Sequence, residues 1–309
     1  MTGYDPAFLG PEDDVRVPLP APTDPGRGLR RCDHPHFTVL LDPRRRLAAA
    51  TAVAIDGATL RALPRTGSWR LDPQAPEGEQ AGPELYHRND LDRGHLVRRR
   101  DPMWGAADEA RRAGEATFVY TNAAPQVGRF NQSQELWNGL EDHVLTYAQA
   151  HERRVVVHTG TVLAGDDPVY RGVGIPRQFW KIAAWARPSW DVPETAAQRG
   201  ARPGAPAGEP GITLVRTLEA AAFVLDQTPQ LDDAQLRAAT ALALAEGEVP
   251  PLGPFRTYQV PVADVARLTG LDLGPLVAAD VLPAARRPAG AEAGPPGWRE
   301  LTGPGGILV

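Results

Sequence analysis

The sequence predicts an α+β domain built on an antiparallel sheet. Apolar runs rich in Val, Ile and Leu recur between turn signals, as strands do. Helical spacing is confined to a few segments. Strands and helices do not alternate as the βαβ units of a parallel sheet would. Size and composition agree: 309 residues, 42% hydrophobic and 23% charged, suffice for one sizeable core. Glycine (31 residues) and proline (32 residues) are both abundant, so long loops are expected.

Along the chain, residues 1–30 are rich in Pro, Gly and Asp and read as an extended N-terminal arm. Residues 31–282 form the single main domain. Its first strands are "HFTVLLD" (36–42) and "RLAAATAVAID" (46–56), joined by the turn "DPRRR". Residues 57–90 are irregular, interrupted by Pro64, Pro73, Pro76 and Pro83. "EATFVYTNAAPQ" (115–126) reads as a short strand running into a polar loop. Leu136, Leu140, Val144 and Tyr147 fall at spacings of three and four, which predicts a helix over 132–151. Strands follow at 153–165, 175–186 and 212–227, with a disordered insertion at 187–211 and a helix at 229–248. A strand and helix fill 255–271, and 283–309 is a Pro/Gly-rich tail.

Several function classes are excluded at this level. The single cysteine, Cys32, rules out a disulfide within the chain and a cysteine-based zinc site. The N-terminus has no basic segment leading into an apolar run, and no stretch is long enough to span a bilayer. A cytoplasmic protein is expected, with export by a route lacking a cleaved signal as the alternative. The formal net charge of −5 argues against a general nucleic-acid coat but permits a local basic groove. Lys181 is the only lysine, so nearly all positive charge is arginine.

The stretch "DLDRGHLVRRRDPMWG" (90–105) invites a chemical reading. A histidine is a good general base near neutral pH. A neighbouring glycine grants the backbone freedom to aim the ring of His95 into a cleft. Arg93, Arg98, Arg99 and Arg100 match the geometry of phosphate oxygens. Taken alone, His95 reads first as a buried ring bonded to a backbone carbonyl beside a solvated arginine run.

A second group is "TNAAPQVGRFNQSQELWNGLED" (121–142), with Asn122, Arg129, Asn131 and Glu141. Magnesium takes oxygen ligands and keeps much of its water, so an asparagine carbonyl can serve it. Asn131 also stands where the helix begins and would serve as its N-cap. Glu141 lies ten residues on, nearly three turns, on a similar helix face. It could hold a metal-bound water or be an ordinary exposed glutamate. His158 in its β-branched strand, Trp104 and Trp180 read as structural.

Together, "LDRGHLVRR", "TNAAPQ" and "FNQSQELWNGLED" resemble the DNA/RNA non-specific endonuclease family, the endonuclease G-like ββα-metal (His-Me finger) nucleases. The similarity runs from about His34 to about Leu276, through "HTGTVLAGDDPVYRGVGIPRQFWKIAAW" (158–185) and "YQVPVADVARLTGLDLG" (258–274). It implies a ββα-metal core on a central antiparallel sheet flanked by helices. It implies that His95 is the general base, that Asn131 ligates a hydrated Mg2+ (Mn2+ as substitute), and that Glu141 supports the metal's waters. Arg93 matches the signature arginine, Asn122 an asparagine that fixes the site, and Arg65 an upstream phosphate-contacting arginine, with Arg61 and Arg70 as competitors. Arg98, Arg99, Arg100 and Arg129 are then substrate-binding candidates. The chain departs from some relatives at Leu145, where they carry an arginine.

The resemblance implies DNA and RNA substrates, 5′-phosphate products and a homodimer. The alternatives are a toxin or host-defence effector restrained by an inhibitor or activator protein, and a decayed nucleic-acid-binding relative.

Overall fold

Apolar residues on both faces of the central strands decide the architecture. In Leu47–Asp56 the first nine residues are buried, and in Arg154–Val162 all but the first are. A strand covered on both sides reads as a continuous apolar run rather than an alternating one. A computed structural model describes residues 3–89, 91–127, 148–149, 153–191, 213–228, 256–282, 297–301 and 307. Among them, eight strands form one antiparallel sheet. Its spatial order is Arg30–His34, Phe37–Asp42, Leu47–Asp56, Arg154–Val162, Gln178–Asp191, Thr213–Asp226, Arg256–Val260 and Arg299–Glu300.

The two faces carry separate cores. Val39, Val53, Ile55, Val157, Phe179 and Phe223 line the front, where Leu96, Val97 and Ala124 pack against them. Leu40, Ala52, Val156, Trp180, Ile182 and Val224 line the back. The helix Val262–Thr269 covers that back face with Val262 and Val265. Gly270 ends it at φ 62°, a left-handed cap that glycine adopts without strain.

Several expectations change. The arm is not separate: Tyr4, Phe8, Leu9, Val15 and Val17 belong to the back core. The Tyr4 hydroxyl donates to the Val17 carbonyl at 2.7 Å, and Gly3 N–H donates to His34 O at 2.8 Å. Proline-rich composition hid this, because the arm covers the sheet with only a short turn at Asp13–Val15 and a two-residue strand at Ala21–Pro22. Residues 187–191 are strand, not insertion: Gln178–Asp191 pairs continuously with Thr213–Asp226, from Gln178↔Asp226 to Asp191↔Thr213. The strand and polar loop expected over 115–126 come in another order: the helix Ala107–Ala116 ends there, a turn follows at Tyr120–Asn122, and the strand is Ala123–Val127. That helix buries only Ala110, Ala113, Gly114 and Ala116, and small residues give a weak apolar signal. The tail contributes an edge strand, with Tyr258 opposite Glu300. The helix expected over 132–151 is described only at Ala148 and Gln149, which are helical. The insertion beyond 191 and the helix expected at 229–248 lie outside the described residues.

His158 sits in the back core, 1% exposed, edge-on to the Tyr4 ring at 5.7 Å, with both ring nitrogens unpartnered. Burial pushes its pKa down to about 3. The folded protein therefore keeps His158 neutral, while the unfolded chain takes a proton below its ordinary value of about 6.5. The stability it confers is full above that value and is lost as pH falls toward 3. Between pH 7 and pH 5, urea unfolding of the wild type should lose ~2 kcal/mol more than that of His158→Leu. Identical acid dependence of the two would contradict this.

Candidate active site

A two-stranded ribbon carries the candidate base. Leu91–His95 pairs antiparallel with Ala123–Val127, from Leu91↔Val127 to His95↔Ala123. Side chains alternate across a strand, so Asp92, Gly94, Ala124 and Gln126 share one face, and Arg93 and His95 the other. The first face is turned inward: Ala124 joins the front core, Gly94 is buried and Gln126 is 1% exposed. His95 is thereby turned away from the sheet.

The glycine of the motif has a different job from the one expected. Gly94 is not in the left-handed region. A Cβ at this position would lie 2.0 Å from Gln126 Oε1 and 2.1 Å from its Cδ. Glycine is required because the buried Gln126 side chain lies across it.

Beyond His95 the chain is held by Asn122, which is fully buried. Its carbonyl accepts from Leu96 N–H at 3.0 Å and its Oδ1 from Val97 N–H at 2.9 Å. Its Nδ2 donates to the Val97 and Thr117 carbonyls at 2.9 and 3.0 Å. The amide is thus spent on backbone groups, which makes Asn122 a positioning residue rather than one that reaches a substrate. Beneath it lies a group the sequence did not reveal. Thr121 Oγ1 donates to Asp72 Oδ2 at 2.6 Å, and His34 Nε2 meets the same oxygen at 3.0 Å. Burial alone would raise the Asp72 carboxyl. The hydrogen bonds from His34, Thr121 and Gln74 N–H outweigh it and hold it below the usual range. Asp72 lies in the irregular 57–90 segment, where spacing carries no signal.

His95 faces an aromatic wall. Its ring is 4.5 Å from Trp69 and meets Phe118 edge-on at 4.9 Å. Trp69 in turn packs against Tyr120 at 5.8 Å. The His95 Nε2 is buried and has no hydrogen-bond partner. Burial lowers its pKa to about 3, with Arg65 and Arg99 adding repulsion against a proton. The ring is therefore neutral at ordinary pH, the form that accepts a proton.

The arginines divide into two groups. Arg61 Nε donates to Gly105 O at 2.9 Å, and Arg70 Nη1 to Glu115 O at 3.1 Å. Arg98 is paired with Asp101 at 3.2 Å, and Arg99 ties the loop by donating to Pro64 O and Leu63 O at 3.0 and 3.1 Å. These groups hold structure. Arg65 lies exposed over the Phe118 ring, 5.5 Å from its centroid, close enough to disfavour protonation of His95. Arg93 is exposed beside Tyr86 at 5.9 Å, and Arg100 is exposed. Of the three upstream competitors, the geometry brings Arg65 to the imidazole.

A magnesium ion needs oxygen ligands, and the described residues hold no group of three or more His, Cys, Asp or Glu side chains placed for a metal. Asn122 Oδ1 is already used. What the described residues bring together at this place is a neutral imidazole and arginines. Asn131, Glu141 and Arg129 lie outside the described residues.

The family model of the DNA/RNA non-specific endonucleases matches residues 19–280. The chain belongs to this family. A curated relative, the uncharacterized protein y4fB of Sinorhizobium fredii (strain NBRC 101917 / NGR234), is 43% identical over 158 residues. That match covers 48% of this chain but only 24% of y4fB, so the chain spans about a quarter of that relative. A crystal structure of the EndoG/EndoGI complex, concerned with the mechanism of EndoG inhibition, shares the fold. It has TM-score 0.52 and 19% identity, over 80% of this chain and 86% of that one. The large antiparallel sheet of this α+β fold matches the architecture expected from the motifs.

Gly94→Ala should destabilise the protein by ~1–3 kcal/mol, because the added methyl meets Gln126. Adding Gln126→Ala should recover part of that loss in urea unfolding. Wild-type stability of the single variant would show that the contact does not require glycine.

Proposed function

We propose that this protein is a magnesium-dependent, sugar-nonspecific endonuclease acting on DNA and RNA. The observation that carries the reading is His95: a neutral imidazole whose Nε2 is buried and unpartnered, with Arg65 beside it. A general base needs that protonation state and a free lone pair. Family membership supplies the substrate class.

In the proposed reaction, His95 Nε2 takes a proton from a water whose oxygen attacks phosphorus in line. The new P–O bond forms as the bond to the 3′ oxygen breaks, leaving a 5′-phosphate and a 3′ oxyanion that takes a proton from solvent to become the 3′-hydroxyl. Arg65 and Arg93 stabilise the charge that grows on the phosphoryl oxygens. Asn131 would hold a hydrated magnesium, with Glu141 on one of its waters, supplying positive charge at the phosphate and the leaving oxygen. Arginines that meet only the backbone give little sequence preference. Restraint by an inhibitor protein is a second proposal; the similar EndoG structure is itself described as an inhibitor complex.

Purified protein should nick supercoiled plasmid and degrade single-stranded RNA with magnesium, and stop in chelator. His95→Ala should lower the rate by about 10²–10⁴-fold. Arg65→Ala should slow cleavage and also raise the His95 pKa, since a positive neighbour is lost, so the acid limb of kcat/KM moves to higher pH. Unchanged cleavage by His95→Ala would overturn the assignment of the base.

A further inference from the structure

A small hairpin stands at the far end of the His95 strand. Val169–Tyr170 pairs with Val173–Gly174, and the turn between them holds Arg171 at φ 48° and Gly172 at φ 76°. Two consecutive positive φ values are the geometry of a tight two-residue hairpin turn, so the tip has a fixed shape. It is also bound in place. Arg171 Nη1 donates to the His87 carbonyl at 2.8 Å and to that of Glu84. Asn89 spans the junction, reaching the Tyr170 hydroxyl at 3.5 Å while its Oδ1 accepts from Leu91 N–H at 3.0 Å. The tip is thus joined to the turn that opens the Leu91–His95 strand.

What this tip presents is unusual for a solvated turn. Val169 is 75% exposed and Tyr170 37% exposed. The Arg171 guanidinium lies 5.0 Å from the Tyr170 ring centroid, stiffening the ring without burying it. Arg88 and His87 are exposed alongside. The described acids about the hairpin are paired with arginines: Glu84 with Arg46 at 2.8 Å, Asp167 with Arg45 at 2.6 Å and Asp166 with Arg177 at 3.2 Å. An open aromatic ring with cations around it suits a base stacked above a phosphodiester backbone. Four residue steps separate Leu91 from His95, about 13 Å of strand. That is roughly four stacked nucleotides at ~3.4 Å each.

We propose that the Val169–Val173 tip is a subsite for unpaired nucleic acid, with Tyr170 stacking on a base about four nucleotides from the scissile phosphate and Arg88 meeting the backbone. A duplex keeps its bases stacked inside and cannot use Tyr170, so the tip favours single-stranded or melted substrate. The proposal rests on the nuclease reading only for the position of the cut; the binding itself is separable.

The test uses the full chain carrying His95→Ala, and fluorescence anisotropy with a labelled single-stranded DNA 12-mer and the corresponding duplex. Tyr170→Ala should weaken single-strand binding about tenfold and change duplex binding by less than about twofold. Tyr170→Phe, which keeps the ring, should bind as the parent does. Unchanged single-strand affinity in Tyr170→Ala, equal losses on both substrates, or a Phe variant as weak as Ala would each overturn the subsite. A parallel cleavage assay of the wild type with magnesium separates the two ideas. Failure to cut either substrate refutes the nuclease reading, while the anisotropy result still decides on Tyr170.

Discussion

His95 stands where it does because the amide of Asn122 is saturated by backbone. Four hydrogen bonds from one buried residue fix Leu96, Val97 and Thr117. The strand before them is locked by Gly94 lying under Gln126. An imidazole at the end of such a strand has little freedom left, and small misplacements of a reacting group are costly. The sheet supplies the rest: its front core receives Leu96, Val97 and Ala124, so the ribbon inherits the rigidity of the domain.

The same packing sets the electrostatics. Trp69 and Phe118 pack against the half-buried ring, its Nε2 is shielded from solvent, and Arg65 and Arg99 disfavour a proton on it. The result is an imidazole kept neutral without a carboxylate partner among the described residues. The cost is an unpartnered buried nitrogen, which a packed core normally avoids. The His95 side chain lies on the face of its strand turned away from the sheet, against Trp69 and Phe118. The unpartnered nitrogens of His158 lie in the back core and serve only packing.

Much of this was legible in the sequence. The continuous apolar runs of Phe37–Asp42, Leu47–Asp56 and Arg154–Val162 announced buried strands, and the order of motifs from His95 to Glu141 announced the family. What was not legible has physical reasons. The arm at 3–30 covers the sheet with only a short turn and a two-residue strand, so its apolar residues show no period. Helix Ala107–Ala116 buries alanine and glycine, which barely register as a stripe. Asp72 and Trp69 are brought to the site by an irregular loop, so no spacing could connect them with His95. The arginine run at 98–100 looked uniform, yet Asp101 and the Leu63 and Pro64 carbonyls claim two of the three.

The central claim is that folding keeps His95 neutral and free. The most direct measurement is an NMR titration of its imidazole, with the resonance assigned by its absence in His95→Gln. The structure predicts no protonation down to about pH 5, because burial and two arginines hold the pKa near 3. A titration midpoint near the ordinary value of about 6.5 would contradict it.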